Sequence, residues 1–574
     1  MSLQRLSSFG RSLNLSQRPI AFWFGLSLSI ALVYSLLGLQ QAFSGEYVVQ
    51  DDARQHVFWM QRFVDPELFP NDLIADYFQS IAPLGYTSLY KLGVFLGIDP
   101  FVFNKLLPLP LALIVAGFSF AISMQILPIP FTGFLSNTLL QQSLWYADDL
   151  PSGTPRAFFY PLLLAFIYFL LRKNLTACLI VIVLQALFYP PTVLLSAGLL
   201  VLRLIYWQNG KIYISRQKKD YTFSGIGVLV SVIVLLPFVI IPSPFDPTVS
   251  FEQARQMPVF FPDGRTSFFS DDNFWKYWLG GRSGIFPNHV FVPLTLIFAF
   301  FLPFLLPFQR LPVVANIKPE VGILGKLTIV SLGLFFLAHL ILFTLYLPSR
   351  YTQHSIRIIF AFAAAITITI LIDRLLYWGQ NRSRSKQLWK PPIVLSSLAV
   401  IGVAVLFYPS FLDKFPDPNY KIGQAPEIYQ FLKQQPKDTL VVTLGGEADN
   451  IPTFAKRSVL TSKELAIPYH LGYYRPLRDR VMATIKAQYS PKRQEVTEFI
   501  NRYGVDFWLV ERNAFTVKYI DNHRWMQQFQ PVTNRARSHL ESGIVPFIST
   551  KIETCSVLET TGYFVLDAQC LTNP

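Results

Sequence analysis

The sequence predicts a polytopic α-helical membrane protein with about eleven transmembrane helices and a C-terminal extracytoplasmic α/β domain. Three observations predict it. Of 574 residues, 52% are hydrophobic and only 15% are charged, with a mean hydropathy of +0.37. Apolar stretches near the length of a bilayer-spanning helix, about 20 residues, recur from Ile20 to the start of a more polar tail at 410–574. Basic residues concentrate in alternate connections between those stretches. Soluble domains carry about 25% charged residues and single soluble cores stop growing near roughly 300 residues, so lipid is the better account of the apolar excess. The 52 phenylalanines suit lipid-facing and interfacial positions.

The first stretch, Ile20–Leu39, follows a segment, 1–19, that holds Arg5, Arg11 and Arg18. Ala42-Phe43-Ser44 resembles a signal-peptide cleavage site, but the apolar run exceeds the usual 7–15 residues, so it reads as an uncleaved helix. Further spans are expected near 105–126, 129–146, 156–171, 175–190, 192–207, 222–241, 288–307, 327–346, 356–377 and 391–408. Prolines alone separate two pairs, at 127–130 and 190–191, where one broken helix is the alternative. With the amino terminus inside, the cytoplasmic segments are 1–19, 172–174, 203–221, 309–326 and 373–390. They hold eighteen Lys and Arg against Asp220, Glu320 and Asp373. That accounts for the net charge of +14 as a positive-inside signal and excludes nucleic acid as the partner it serves.

The transmembrane part, 20–409, then carries two large outer loops. Loop 41–104 has eight acids against three bases, and its segment 84–97 reads as an interfacial helix. Loop 243–287 is dense in aromatics, with Phe260-Phe261, Phe268-Phe269, Phe274-Trp275 and Tyr277-Trp278. In the tail, Pro426–Gln435, Arg475–Tyr489 and Pro491–Tyr503 read as helices, and Thr439–Leu444 and Val505–Val510 as strands. Gly445-Gly446 reads as a turn, since no phosphate-loop pattern follows it. Thr561-Gly562 is a plausible hairpin turn that brings Cys555 near Cys570. In an exported domain these two thiols either pair or stay free; a disulfide closing that loop contributes about 3 kcal/mol. Cys178 lies in an apolar span.

Three constellations bear on chemistry, each with an ordinary structural alternative. Asp51-Asp52 precede an apparent helix, Ala53–Val64, where an acid caps free N–H groups or serves as a catalytic base. Asp148-Asp149 lie in a short outer loop beside Arg156, where they are solvated acids or ligands of a divalent cation, Mg or Mn. Arg350, His354 and Arg357 share a helix face at i, i+4 and i+7, near the outer amino-terminal end of a span. That face suits either headgroup anchoring or the phosphate of a lipid-linked substrate, with Arg156 a further phosphate candidate.

Together these features resemble the GT-C superfamily of polyprenyl-phosphate-sugar-dependent membrane glycosyltransferases. The architecture carries the resemblance, and the local match is Asp51-Asp52-Ala53-Arg54 after the first span. It implies an inverting transfer of a sugar from a polyprenyl-phosphate-linked donor at the outer face of a membrane, here a bacterial plasma membrane. It also implies Asp51 or Asp52 as base and Arg350, His354, Arg357 and Arg156 as donor-phosphate ligands. The W-W-D-Y-G signature of oligosaccharyltransferases is absent from the tail, which argues against protein N-glycosylation. Two other classes fit less well. A transporter or flippase needs ionisable groups near the midplane, and His339 is the main one within a span. A non-catalytic protein of envelope glycan assembly would use the same acids only as caps and solvated loops.

Overall fold

The computed structural model describes residues 19–208, 211–380 and 390–573. Arg5, Arg11, Arg18, Arg382, Arg384 and Lys386, which carry part of the expected charge asymmetry, lie outside them. The chain is an integral, multi-pass membrane protein. Five helices among the described residues are long and apolar enough to cross a bilayer, and shorter apolar helices accompany them. The main helices are α1 (Ile20–Ala42), α2 (Pro108–Ile126), α3 (Pro130–Trp145), α4 (Phe159–Leu171), α5 (Leu175–Phe188), α6 (Pro191–Leu202), α7 (Lys218–Ile240), α8 (Gly322–Leu340), α9 (Ser349–Gln380) and α10 (Lys390–Leu406). Both proline-separated pairs are distinct helices: α2 ends before Leu127 and α3 starts at Pro130, while α5 and α6 meet across Tyr189-Pro190. Proline at the first helical position explains this, because its missing N–H is one that a helix start leaves unpaired.

The helix α3 shows why composition alone misjudges a helix in a bundle. It is rich in polar residues, yet every residue from Thr132 to Trp145 is buried. It packs between α1, α2 and α9, which together with α10 satisfy its side chains. Asn137 Nδ2 donates to Ser27 O (2.9 Å), Gln141 Nε2 to Ala112 O (2.9 Å) and Gln142 Nε2 to Val405 O (2.7 Å). Thr132 and Thr369 hydroxyls meet at 3.0 Å. A buried polar group without such a partner would cost several kcal/mol in hydrocarbon.

The structure departs from the sequence reading in three connections. The run expected over 192–207 stops as a helix at Leu202, and β2 (Ile205–Gln208) and β3 (Lys211–Ile214) form a hairpin in the basic segment. The run 288–307 is a 3₁₀ stretch, Leu294–Phe301, continued by a single helical turn, Leu302–Leu305. The segment after Asp52 is a short helix, Ala53–His56, then a 3₁₀ helix, Phe58–Phe63. His339 is held by its Nε2 donating to Ser283 O at 3.0 Å.

The tail forms one five-stranded mixed sheet. Its strands β5 (Leu440–Val442), β6 (Ser458–Val459), β7 (Phe507–Glu511), β8 (Ser556–Glu559) and β9 (Tyr563–Asp567) lie in the order β6-β5-β7-β9-β8. The β5 pairings are parallel, and β7, β9 and β8 are antiparallel. Parallel β5 and β7 need a crossover, which α11 (Leu471–Gln488) and α12 (Arg493–Tyr503) supply. Gly504 ends α12 at φ +65°, a left-handed conformation glycine adopts without strain. Cys555 and Cys570 are disulfide-bonded with Cα atoms 5.5 Å apart, and Cys178 is a buried free thiol.

One further pairing joins the tail to the first large loop. β1 (Val48–Gln50) runs antiparallel to β4 (Tyr420–Ile422), with Val49 opposite Lys421. The two residues after β1 are Asp51 and Asp52, so this ladder fixes where both carboxylates begin.

Candidate functional site

The capping role expected of Asp51 or Asp52 falls to Gln50. Its Oε1 accepts from the backbone N–H groups of Asp52 (2.8 Å) and Ala53 (3.3 Å), while its Nε2 donates to Pro418 O (3.3 Å). Asp52 stands at the cap position with no side-chain bond to the helix. Both carboxylates are thereby free to face other partners. Asp51 pairs with Arg54 and accepts from Asn419 Nδ2 at 3.0 Å. Asp52 pairs with Arg156, the first residue of the sequence analysis to meet another from a different loop.

Arg156 is the meeting point. Besides Asp52 it reaches Asp148 Oδ2 at 3.0 Å and Asp149 Oδ1 at 3.4 Å, so three carboxylates converge on one guanidinium. Arg156 therefore takes the position expected of a divalent cation, supplying from within the chain a positive charge at the point where the three carboxylates meet. Among the described residues, no group of three or more His, Cys, Asp or Glu is arranged to hold a metal. Spread around a planar guanidinium fork, Asp148 and Asp149 do not fit Mg or Mn as placed.

The expected Arg350/His354/Arg357 face exists on α9, but it divides. His354 Nδ1 lies 3.2 Å from Asp149 Oδ2, which also accepts from Tyr160 OH at 3.1 Å. Arg357 donates to Ser143 Oγ (2.9 Å), Ser143 O (3.2 Å) and Asn288 O (3.2 Å), and its Nε is 4.0 Å from Asp149. His354 and Arg357 thus hold Asp149 and the loop before it. Arg350 remains: it has no carboxylate partner among the described residues, and its buried Nε makes no hydrogen bond.

Sequence reasoning missed three members of this site. Arg282, from loop 243–287, lies within electrostatic reach of Arg350, Arg265, Tyr469 and Tyr346 and has no acidic partner among the described residues. Burial pulls its guanidinium below the usual arginine range, and the neighbouring arginines add to that. His56 follows Asp52 by four residues; burial, then Arg156 and Arg350, push it down to about 4, so it is neutral near pH 7. Glu464, from the tail, bonds Gln55 and Arg265 and lies 3.9 Å from Arg54. Only the DDARQH string marks His56 in the sequence; nothing local marks Arg282 or Glu464.

The carboxylates differ in electrostatics. Burial raises the Asp52 carboxyl, and Asp148 and Asp51 add to this against the pull of Arg156. Burial also acts to raise Asp149, but His354, Arg156 and Arg357 outweigh it and hold that carboxyl well below its usual range. One acid is therefore kept basic and its neighbour kept charged, as environments that push paired acids apart do. Arg350 and Arg282 add two cations with no ion-pair partner among the described residues; Asp149 and Asp52 lie within electrostatic reach of Arg350 without pairing with it, and an anion completes such an arrangement.

The fold places the chain in a class: a multi-pass membrane protein in which loops 41–104 and 243–287 and the tail bring together an acidic pair and arginines with no ion-pair partner among the described residues. No protein-family model and no curated protein sequence matches the chain. Solved structures do. It is similar to the archaeal oligosaccharyltransferase AglB from Archaeoglobus fulgidus, in complex with an inhibitory peptide and a dolichol-phosphate. That match has a TM-score of 0.53 at 10% identity and covers 89% of this chain and 72% of that one. The apo form of the A. fulgidus enzyme gives 0.50 at 10% identity, with 88% and 72% covered. ArnT from Cupriavidus metallidurans, bound to undecaprenyl phosphate, gives a looser 0.41 at 13% identity over 96% and 99%. The chain has the GT-C fold.

Two outcomes follow from the charge arrangement. Arg156→Met, which keeps the bulk and removes the charge, leaves three carboxylates facing one another. We expect a loss of about 3–5 kcal/mol, read as a lowered melting temperature in detergent, with Arg156→Lys recovering part of it. Glu464 is pushed up to about 7 from the ordinary 4.5, first by burial and then by Asp51 and Asp449, against Arg265 and Arg54. Folded Glu464 thus keeps a proton that the unfolded chain releases above 4.5. The stabilisation is complete below that value and disappears as pH rises through about 7. Melting curves across this window should slope downward for the native chain and lie flatter for Glu464→Gln.

Proposed function

We propose that this chain is an inverting glycosyltransferase that moves a sugar from a polyprenyl-phosphate-linked donor to an acceptor at the outer face of a bacterial plasma membrane. One observation carries the reading: Asp52, kept basic by burial, stands in the same charged cluster as Arg350 and Arg282, two arginines without an ion-pair partner among the described residues. The GT-C fold supports it, since the similar AglB structure holds a dolichol-phosphate.

In this mechanism Asp52 accepts the proton of an acceptor hydroxyl or amine as that atom attacks the anomeric carbon. The bond from that carbon to the phosphate oxygen breaks on the opposite face, so configuration inverts. Polyprenyl phosphate leaves with the electron pair, and its new charge is met by Arg350 and Arg282. Asp52 then returns the proton to water. Asp51, tied to Arg54 and Asn419, positions the loop, while His354 and Arg357 hold Asp149 as the counter-charge of Arg156. The polyprenyl chain lies among the spans. The reading includes eleven spans with the amino terminus inside, and domains 1–19, 20–409 and 410–574 in cytoplasm, membrane and outside.

Asp52→Asn should lower formation of the dependent surface glycan by about 10²–10⁴-fold at unchanged protein level. Arg350→Ala and Arg282→Ala should weaken binding of undecaprenyl phosphate to the purified chain by roughly tenfold each. Wild-type product from Asp52→Asn, or lipid binding by both arginine variants as tight as that of the native chain, overturns the assignment. Topology is checked separately with an impermeant thiol reagent on intact cells, in a Cys178→Ser background. A cysteine replacing Lys492 should be labelled and one replacing Lys219 protected.

A further inference from the structure

A second cleft lies away from the charged cluster, between the outer loop 243–287 and the tail. Its volume is about 270 Å³, just under the roughly 300–1,000 Å³ typical of small-molecule sites. One wall is a single face of α11: Leu471, Tyr474, Arg475 and Arg478 fall at i, i+3, i+4 and i+7. The opposite wall comes from Gln253 and Gln256 of the loop, and Gln528 closes one end. Elsewhere on the tail, Arg512 pairs with Glu559, Arg524 with Asp263 and Arg537 with Asp521. Arg475 and Arg478 are exposed and have no ion-pair partner among the described residues. Gln528 donates its Nε2 to Asp263 O at 2.7 Å, and its buried Oε1 has no partner.

We infer that this cleft binds an anionic oligosaccharide, the acceptor-side glycan of the proposed transfer, and the inference rests on that reading for its role but not for its binding. Two unpaired guanidinium forks recognise carboxylate or phosphate groups on the sugar. Three glutamine amides, each with donors and an acceptor, suit neighbouring hydroxyls. Tyr474 and Leu471 provide an apolar floor for the ring carbons. The chain itself links cleft and cluster: Leu471 follows by two residues Tyr469, which lies within electrostatic reach of Arg282 and Arg350. The same first turns of α11 thus border the cleft, while Tyr469, two residues before them, lies near the half-buried arginines. Val249 N–H donates to Tyr469 O at 2.8 Å, and Leu471 N–H to Pro247 O at 2.9 Å, which fastens the loop wall to the helix wall.

The test uses the purified full chain in nanodiscs and three probes: trigalacturonate, neutral maltotriose and a short polyglutamate peptide. A fourth arm uses vesicles containing phosphatidylglycerol. Saturable trigalacturonate binding is expected, at least about tenfold tighter than maltotriose. The double variant Arg475→Glu/Arg478→Glu should lose it by at least tenfold at an unchanged melting temperature. If that variant unfolds, Gln253→Ala/Gln256→Ala, on the exposed loop wall, serves in its place and should weaken trigalacturonate by several-fold. Arg350→Ala and Asp52→Asn should leave trigalacturonate binding intact. Failure of the native chain to bind undecaprenyl phosphate, with trigalacturonate binding present, would thus count against the transferase reading alone. Tighter binding of polyglutamate, binding only to anionic vesicles, or equal trigalacturonate binding by native and variant chains overturns the cleft assignment.

Discussion

The site depends on the guanidinium of Arg156 and the three carboxylates it gathers. Asp52 arrives from the loop after α1, Asp148 and Asp149 from the loop after α3, and Arg156 from the start of the next helix. Without the cation these acids would repel one another where water is scarce, and neither loop would hold its place. With it, the acids become unequal. Asp149 is held charged by His354, Arg156 and Arg357, whereas for Asp52 burial, with Asp148 and Asp51, prevails over Arg156 and Arg350 and favours its proton. A single internal cation thereby converts a repulsive cluster into an ordered pair with distinct chemical characters.

The second constraint is the seam between membrane helices and tail. β1 pairs with β4, Gln50 reaches Pro418, and Glu464 bonds both Gln55 and Arg265. The acidic strand-to-helix corner is therefore built half from the first loop and half from the tail. Because Glu464 also grips loop 243–287 through Arg265, loops 41–104 and 243–287 and the tail all meet beside the acids. The tail thus takes part in positioning the acids and is not a separate appendage. The cleft over Arg475 and Arg478 lies on the same seam, where loop and tail are already hydrogen-bonded.

Much of the scaffold could be read from the chain alone, because lipid imposes a severe rule: backbone polar groups must pair within a helix, and side chains must be apolar unless covered. The alternation of long apolar runs with basic connections follows from it, as do the proline-marked helix starts at Pro130 and Pro191. The exceptions have a common cause. The polar residues of α3 are tolerated because four neighbouring segments satisfy them. The run 288–307 is apolar enough to resemble a span, yet folds as a 3₁₀ stretch and one helical turn; composition records apolarity, not backbone winding.

The sequence by itself determined that this is a multi-pass membrane protein with a mixed α/β tail, and that acids and bases gather at the ends of its helices. Those properties depend on local composition and period, which the chain carries without folding. Tertiary structure alone decided which charge meets which. It gave the helix cap to Gln50, put Arg156 where a metal was expected, turned His354 and Arg357 toward Asp149, and left Arg350 with Arg282. The physical reason is range. A carboxylate's character is set by burial and by charges within a few ångströms, and here those charges come from segments hundreds of residues apart.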